Sequence, residues 1–190
     1  MPLKTTVKVN HISNLSDARY CAGMGVEMLG FGVIPGEQNY MPPDVFQDIR
    51  GWVAGPAIVA ELYGISSVDQ IDTAIRTYSP DYLELTFAEY KAFKDNLTLP
   101  CMVYFPAAEL PTKEVEEKIS HALVDARTSC KNITSFRIPV LIKIDTLSQL
   151  QDKLSEGCFK GVILEGPGEQ RPGITNYERL GGILEALEEE

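Results

Sequence analysis

The most constraining feature of this sequence is a regular alternation between short apolar runs and segments with helical periodicity. The seven runs span residues 7–12, 28–34, 57–63, 82–86, 101–105, 139–144 and 161–164. Short runs rich in apolar and β-branched residues are typical of strands that are buried on both faces, as in a parallel sheet. The sequence therefore predicts several parallel strands with helices packed over them.

Helical segments separate these runs, and capping signals bound several of them. Asn14, followed three residues later by Asp17, predicts a helix N-terminus, and Gly23 and Gly25 predict the end of the same helix. Further helices are predicted to begin near residues 42–43 and 66–67, and to cover residues 148–154 and 177–187. Strand–helix repeats of about 20 to 30 residues favour a (β/α)8 TIM barrel over an open α/β sheet. At 190 residues the chain is shorter than the usual barrel of about 250, so we predict a short barrel in a single domain, residues 1–190.

The segment between residues 105 and 139 is the ambiguous part of this barrel. Val115, Ile119, Leu123 and Ala126 follow a helical spacing, which favours one continuous helix over residues 112–130. The alternative is a sixth strand at His121–Asp125. Under the helical interpretation the barrel lacks one strand or takes it from residues 133–137. The region of strand and helix five and six is therefore predicted to be degenerate.

Charge and cysteine spacing exclude several classes of function. The chain has 27 acidic and 17 basic residues, a net charge of −10, which disfavours nucleic acid and anionic membranes as partners. It has no signal peptide and no long apolar stretch, so we expect a cytoplasmic protein. No two of its four cysteines (Cys21, Cys101, Cys130 and Cys158) are close in sequence, which predicts free thiols in a reducing compartment and no metal site. No nucleotide-binding loop is present, so no cofactor is predicted.

Several segments resemble one known enzyme family. Residues 8–18 read K-V-N-H-I-S-N-L-S-D-A, which resembles the opening K-I-C-G-I-T-N-x-x-D-A of the phosphoribosylanthranilate isomerases. Residues 25–31 resemble that family's G-A-D-A-L-G-F, and residues 81–86, 139–145 and 169–174 resemble its later motifs in the same order. The resemblance implies a TIM barrel and an Amadori rearrangement of phosphoribosylanthranilate in tryptophan biosynthesis.

The catalytic positions implied by this resemblance are altered. The family uses a cysteine base on the first strand, where this chain has Asn10, and a side-chain amide does not accept a proton near pH 7. His11 follows and could serve as a base, but strand alternation predicts that it faces away from the side that Asn10 faces. Asp125 is the candidate for the family's acid on strand six, provided that residues 121–125 form a strand.

The phosphate-binding positions implied by the resemblance are altered as well. The glycine pair after strand seven becomes residues 144–145, which adds Asp145, and the Ser-Ser-Gly after strand eight becomes residues 165–167, which adds Glu165 and Pro167. A carboxylate repels phosphate, and proline removes an N–H donor. The arginine that the family places after strand two is replaced around Asn39.

The remaining candidates converge on the C-terminal mouth, where barrel sites lie. The predicted ligand-binding set is Lys8, Asn39, Glu84, Thr86, Lys143, Asp145 and Glu165. For Lys143 the alternative is a salt bridge with Glu165 or Glu84. Mixed charges in one cleft suit a small polar or cationic ligand, or another reaction, better than a bare phosphate.

Three functions stay open from the sequence. The first is a barrel diverged from the family reaction, and the second is an active isomerase with a substitute base. The third is a protein-interaction scaffold, so whether the chain is an enzyme is undecided. A ligand site predicts an enclosed mouth around Lys8 and Lys143, whereas a scaffold predicts a filled one. The oligomeric state is predicted to be a monomer or a homodimer.

Overall fold

The computed structural model describes residues 2–106, 111–167, 169–171 and 174–189, and it forms a closed barrel of eight parallel strands in sequence order. This confirms the predicted (β/α)8 TIM barrel. The strands are β1 (Thr6–Asn10), β2 (Met28–Gly32), β3 (Ala57–Glu61), β4 (Tyr82–Thr86), β5 (Cys101–Tyr104), β6 (His121–Asp125), β7 (Val140–Lys143) and β8 (Gly161–Glu165). The helices are α1 (Leu15–Gly23), α2 (Pro43–Trp52), α3 (Val68–Tyr78), α4 (Phe87–Phe93), α5 (Lys113–Glu116), α6 (Cys130–Ile133), α7 (Leu147–Glu156) and α8 (Glu178–Ala186). None of these helices is long and apolar enough to cross a membrane.

Two short strands follow the barrel. They are β9 (Glu169–Arg171) and β10 (Ile174–Thr175), which pair in antiparallel fashion before α8. Of the closing motif that resembles the isomerases, residues 172–173 lie outside the described residues.

Each of the seven apolar runs overlaps one barrel strand, as expected for strands that are buried on both faces. The predicted helix starts also agree with the structure: the Asn14 side chain accepts a hydrogen bond of 2.9 Å from the backbone N–H of Asp17 at the start of α1. Thr86 and Thr146 cap α4 and α7 in the same way. These caps place the helices directly after the strands and keep the loops at the mouth short.

The continuous helix expected over residues 112–130 is wrong. The structure has the single turn α5, then β6, then the single turn α6. Ile119 and Leu123 are both buried, as their helical spacing indicated, but they belong to different elements. β6 pairs with β5 and β7, so the closure of the barrel overrides the local helical pattern. The predicted degeneracy of this region holds only for its helices, because α5 and α6 have four residues each whereas β5 and β6 are complete strands of the barrel.

The apolar core has two parts, one outside and one inside the barrel. The larger part lies between the strands and the helices. The smaller part contains one residue from each of six strands: Met28, Val59, Met102, Leu123, Leu141 and Ile163. The two strands that do not contribute to it, β1 and β4, carry the buried charges Lys8 and Glu84. The interior of the barrel therefore combines an inner apolar layer with a buried ionic cluster.

Two of the four cysteines are paired, which corrects the prediction of four free thiols. Cys130 at the start of α6 and Cys158 after α7 form a disulfide, with Cα atoms 5.7 Å apart. Cys21 and Cys101 are free and buried. The pairing was missed because the two partners are 28 residues apart in sequence and only the fold brings them together.

Candidate functional site at the mouth of the barrel

A buried ion cluster lies in the centre of the barrel. The ammonium of Lys8 lies 2.6 Å from Glu84 Oε2 and 3.2 Å from Glu61 Oε1, and all three side chains are 0–1% exposed. Lys8 also donates a hydrogen bond to the side-chain oxygen of Asn10. Burial alone would lower the pKa of Lys8, but the carboxylates of Glu84 and Glu61 outweigh it and raise that pKa. Lys8 therefore stays protonated and has no free lone pair for nucleophilic chemistry.

Gly30 in β2 makes the space that this ion cluster occupies. A Cβ atom at Gly30 would lie 2.0 Å from Glu61 Oε1 and 2.8 Å from Lys8 Nζ. Carbon and oxygen atoms cannot approach so closely, so any larger residue would displace the ion pair. Glycine in the middle of a strand commonly marks such a close approach.

Above the ion cluster, the C-terminal ends of the strands surround a cavity of about 290 Å³. It is lined by Asn10, His11, Tyr63, Glu84, Thr86, Tyr104, Leu123, Asp125, Lys143, Ile163 and Glu165. Leu123 and Ile163 belong to the inner apolar core, so they form the floor, and the polar residues form the wall. The lining contains three carboxylates, one lysine and one histidine.

His11 faces into this mouth, which corrects the expectation that it points away. β1 ends at Asn10, and His11 has a φ of +53°, in the left-handed region. The turn at this residue breaks the strand alternation on which the expectation rested. Its Nδ1 lies 2.6 Å from Glu165 Oε2, and its Nε2 lies 3.4 Å from Glu61 Oε2. Burial would lower the pKa of His11, but these two carboxylates raise it.

Glu165 joins the cations of the mouth. Its carboxylate contacts His11 on one side and lies 2.7 Å from Lys143 Nζ on the other. Burial would raise the pKa of Glu165, but hydrogen bonds from His11 and Lys143 lower it to about 2. The Lys143–Glu165 salt bridge agrees with the alternative considered for Lys143. His11 and Lys143 therefore both contact the same carboxylate, which is charged at neutral pH.

Two tyrosine–carboxylate pairs complete the wall. The Tyr63 hydroxyl donates to Glu84 Oε1, and the Tyr104 hydroxyl donates to Asp125 Oδ2. Burial and the adjacent carboxylates raise the pKa of both tyrosines, so both remain neutral donors at physiological pH. Asp125 lies at the end of β6, as expected for the family acid under the strand alternative.

The predicted ligand residues divide into two groups. Glu84, Thr86, Lys143 and Glu165 line the cavity together with the predicted catalytic positions Asn10, His11 and Asp125. The Thr86 hydroxyl also exchanges hydrogen bonds with Glu89 to cap α4.

The other predicted residues do not line the cavity. Lys8 is sealed beneath it, and Asp145 and Asn39 are exposed outside it. Asn39 has a φ of +69°. Its backbone carbonyl, not its side chain, packs against β2, so closely that a Cβ atom at Gly32 would lie 2.6 Å from the carbonyl oxygen.

Tyr63, Tyr104 and Gly30 were not predicted as site residues. Tyr104 follows the inner-core residue Met102 by two positions, and Asp125 follows Leu123 in the same way. Because side chains alternate along a strand, a residue two positions after an inner-core residue faces the mouth. That pattern was available in the sequence for Tyr104.

Comparison of the sequence with known proteins finds relatives in one enzyme family. No protein-family model matches the chain. A curated N-(5'-phosphoribosyl)anthranilate isomerase from Xylella fastidiosa (strain M12) is 26% identical over 114 residues, which are 60% of this chain and 52% of the relative. The chain thus spans about half the length of the curated relatives it matches.

Solved structures show the same fold over nearly the whole chain. The phosphoribosylanthranilate isomerase from Thermus thermophilus superposes with a TM-score of 0.78 at 18% identity, covering 96% of this chain and 98% of that one. A phosphoribosylanthranilate isomerase in complex with reduced 1-(o-carboxyphenylamino)-1-deoxyribulose 5-phosphate superposes with a TM-score of 0.73 at 13% identity, covering 95% and 97%. The sequence match and the common fold together support a relationship to the phosphoribosylanthranilate isomerases.

Proposed function

We propose that this barrel binds a small polar ligand of cationic or zwitterionic character at its mouth and has lost the phosphoribosylanthranilate isomerase reaction. The observation that carries the proposal is the charge of the cavity wall. Glu84, Asp125 and Glu165 face it, against Lys143 and His11. A mouth with excess carboxylate attracts a cation and repels a phosphate.

Among the residues that the structure describes, the mouth has no cation that could bind a phosphate group without first leaving another partner. Lys143 and His11 both contact Glu165, whose low pKa keeps it charged, so neither cation is available without breaking an ion pair. Two like charges about 4 Å apart repel by about 1 kcal/mol even in water, and by more where the site is partly buried. Asp145 and Glu165 stand at the two positions where the resemblance implies phosphate-binding backbone.

A base for the isomerisation is also missing at the expected position. The Asn10 amide is not basic, and its oxygen already accepts a hydrogen bond from Lys8. Both ring nitrogens of His11 face carboxylates, and its raised pKa favours the protonated ring, which has no lone pair to accept a proton.

Asp125 is the side chain best suited to hold a ligand cation. It is half-buried, and one of its oxygens accepts the hydrogen bond from Tyr104. Its other oxygen has no hydrogen-bond partner among the described residues. A ligand ammonium placed there would form a charge-assisted hydrogen bond, and a ligand carboxylate could compete for Lys143.

An alternative function follows from the same residue. Asp125 ends β6, where the resemblance implies the family acid, and this favours retained acid–base chemistry with a different base. The open cavity favours either ligand-based function over a scaffold, for which a filled mouth was expected. The monomeric or homodimeric state stays a prediction that light scattering can check.

Ligand preference can be measured with matched sugars. Thermal unfolding of the protein is followed with glucosamine, glucose and glucose 6-phosphate as probes, which carry a positive, zero and negative charge. We expect glucosamine to stabilise the protein most and glucose 6-phosphate least. Asp125→Asn should remove the preference, whereas Asp152→Asn, an exposed position on α7, should keep it. A preference for glucose 6-phosphate would overturn the proposal.

The isomerase reaction is tested directly by the loss of phosphoribosylanthranilate fluorescence. We expect no turnover above a heat-denatured control. Turnover well above that control would establish a substitute base, and variants of His11, Asp125 and Glu84 would then identify it.

A further inference from the structure

We propose that Cys130, Glu156 and Cys158 form a divalent-cation site once their disulfide is reduced, with Zn²⁺ as the fitting ion. One ligand atom from each of the three side chains lies within 4.8 Å of the others. Two thiolates and a carboxylate are a donor set that Zn²⁺ prefers, with water in the fourth position. This site is separate from the barrel mouth and does not depend on the function proposed there.

The fold brings the three side chains together at the far end of α7. Glu156 is the last residue of α7, and Gly157 adopts a φ of +64°, which turns the chain back toward α6. Cys158 therefore faces Cys130 with Cα atoms 5.7 Å apart. Cys158 Sγ lies 3.9 Å from Glu156 Oε2, and Cys130 Sγ lies 3.9 Å from the Glu156 carbonyl oxygen.

Reduction and metal binding are linked by balanced steps. A dithiol reductant transfers two electrons and two protons to the disulfide, which gives two cysteine thiols and an oxidised, cyclic disulfide of the reductant. Zn²⁺ then displaces the two thiol protons to solvent and binds both thiolates, so its affinity rises with pH. In the oxidised chain the sulfur atoms are bonded to each other and cannot supply thiolates.

Lys153 holds the third ligand in place. Its ammonium lies 2.8 Å from Glu156 Oε2 and 3.3 Å from the carbonyl oxygen of Thr128. Because Lys153 has this second acceptor, it can release Glu156 to a cation without losing every partner. Its positive charge also favours the thiolate form of the neighbouring cysteines.

Accessibility separates this pair from the other two cysteines. Cys130 and Cys158 are half-buried, whereas Cys21 and Cys101 are 0% and 3% exposed. Burial raises the pKa of the Cys101 thiol to about 11 and that of Cys21 to about 12. The buried thiols are therefore poor metal ligands and provide matched controls.

The test compares metal binding by the reduced and the oxidised full chain. The protein is reduced, freed of reductant, and titrated with Zn²⁺ against a chromogenic chelator and with Co²⁺ by absorption. We expect one equivalent of Zn²⁺ per reduced chain, a sulfur-to-cobalt charge-transfer band, and neither result for the oxidised chain. Cys158→Ser should weaken Zn²⁺ binding by at least about tenfold, Glu156→Gln should weaken it while keeping the band, and Cys101→Ala should match the wild type.

Two results would overturn the inference. One is equal Zn²⁺ binding by the reduced wild type and the Cys130→Ser/Cys158→Ser variant. The other is loss of the far-ultraviolet circular dichroism signal on reduction, because the site requires α6 and α7 to remain folded.

Discussion

Lys8 Nζ and Glu84 Oε2 lie 2.6 Å apart in the centre of the barrel, and neither side chain is exposed. Glu61 shares the same ammonium, so two carboxylates surround one lysine. Burial raises the pKa of Glu61 more than the neighbouring Lys8 lowers it. His11 reaches Glu61 from the mouth and supplies a second positive charge when it is protonated, a form that its raised pKa favours. The ion cluster beneath the mouth and the charge of the mouth are therefore coupled through Glu61.

Removing the lysine should strongly destabilise the fold. Lys8→Met leaves Glu61 and Glu84 buried without their cation, which typically costs about 3–5 kcal/mol of unfolding free energy. Urea unfolding at pH 7 measures the loss. The triple variant Lys8→Met/Glu61→Gln/Glu84→Gln removes the unpaired charges and should recover much of it. A loss below about 1 kcal/mol for the single variant would contradict the importance of this cation.

Gly30→Ala should also destabilise the protein, because the new methyl group would overlap the Glu61 carboxylate. We expect a loss of about 1–3 kcal/mol, as for other overpacked sites. Gly23→Ala is the matched control, since a Cβ there meets nothing within 4 Å. Equal stability of the two variants in urea unfolding would show that the ion cluster can move aside freely.

The strands and most helices were predicted correctly because the local sequence signals and the barrel topology favour the same elements there. The apolar runs coincide with barrel strands, and Asn14 caps the N-terminus of α1 as its position before Asp17 predicted. The prediction failed over residues 112–130, where Val115, Ile119 and Leu123 imitate one helical face. Whether such residues belong to one helix or to a turn and a strand is decided by pairing with β5 and β7, which a local pattern does not contain.

Only those site residues whose positions follow from strand alternation could be predicted from the sequence. Asp125, Lys143 and Glu165 each follow an inner-core residue by two positions, so alternation places them at the mouth. His11 could not be placed, because its positive φ interrupts the alternation. The sharing of Lys8 between Glu61 and Glu84 depends on the register of four strands, β1 to β4, and the disulfide depends on contact between α6 and the end of α7.

The contact between His11 and Glu165 should give stability a defined pH dependence. The folded-state pKa of Glu165 is lowered to about 2, so its contribution is complete above its unfolded pKa of about 4.3 and is lost as pH falls toward 2. The folded-state pKa of His11 is raised, so its contribution is complete below about pH 6.5 and is lost as pH rises through the raised value. Both contributions are complete between about pH 4.3 and 6.5.

His11→Asn tests this window, because asparagine tolerates a positive φ. The difference in unfolding free energy between the wild type and this variant should be greatest near pH 5.5 and smaller at both pH 3 and pH 9. His121 should show the opposite pH dependence, because burial lowers its pKa. Its contribution to the unfolding free energy should therefore decrease as the pH falls through about 6.5. A difference for His11→Asn that stays constant with pH would exclude a charged contact.

The disulfide should stabilise the fold because it reduces the conformational entropy of the unfolded chain. Its cysteines are 28 residues apart, and closing a loop of this size restricts the unfolded chain by about 3–4 kcal/mol in the loop-entropy account. Addition of a dithiol reductant in the presence of a chelator should lower the Tm of the wild type and of Cys101→Ala. The Tm of Cys130→Ala/Cys158→Ala should be lower from the start and should not respond to reductant. A response in that variant would locate the effect elsewhere.

Restoring the family's cysteine alone should not restore isomerisation. In Asn10→Cys a thiol beside the charged Lys8 gains thiolate character, which alkylation rates at several pH values can verify. The substrate phosphate would nevertheless meet Glu165 in the cavity wall, and Pro167 still lacks a backbone donor. We expect phosphoribosylanthranilate fluorescence to stay constant in the presence of this variant. Measurable turnover would mean that a base is the main deficiency of the mouth and that its carboxylates tolerate a phosphate, in which case glucose 6-phosphate should also stabilise the wild type.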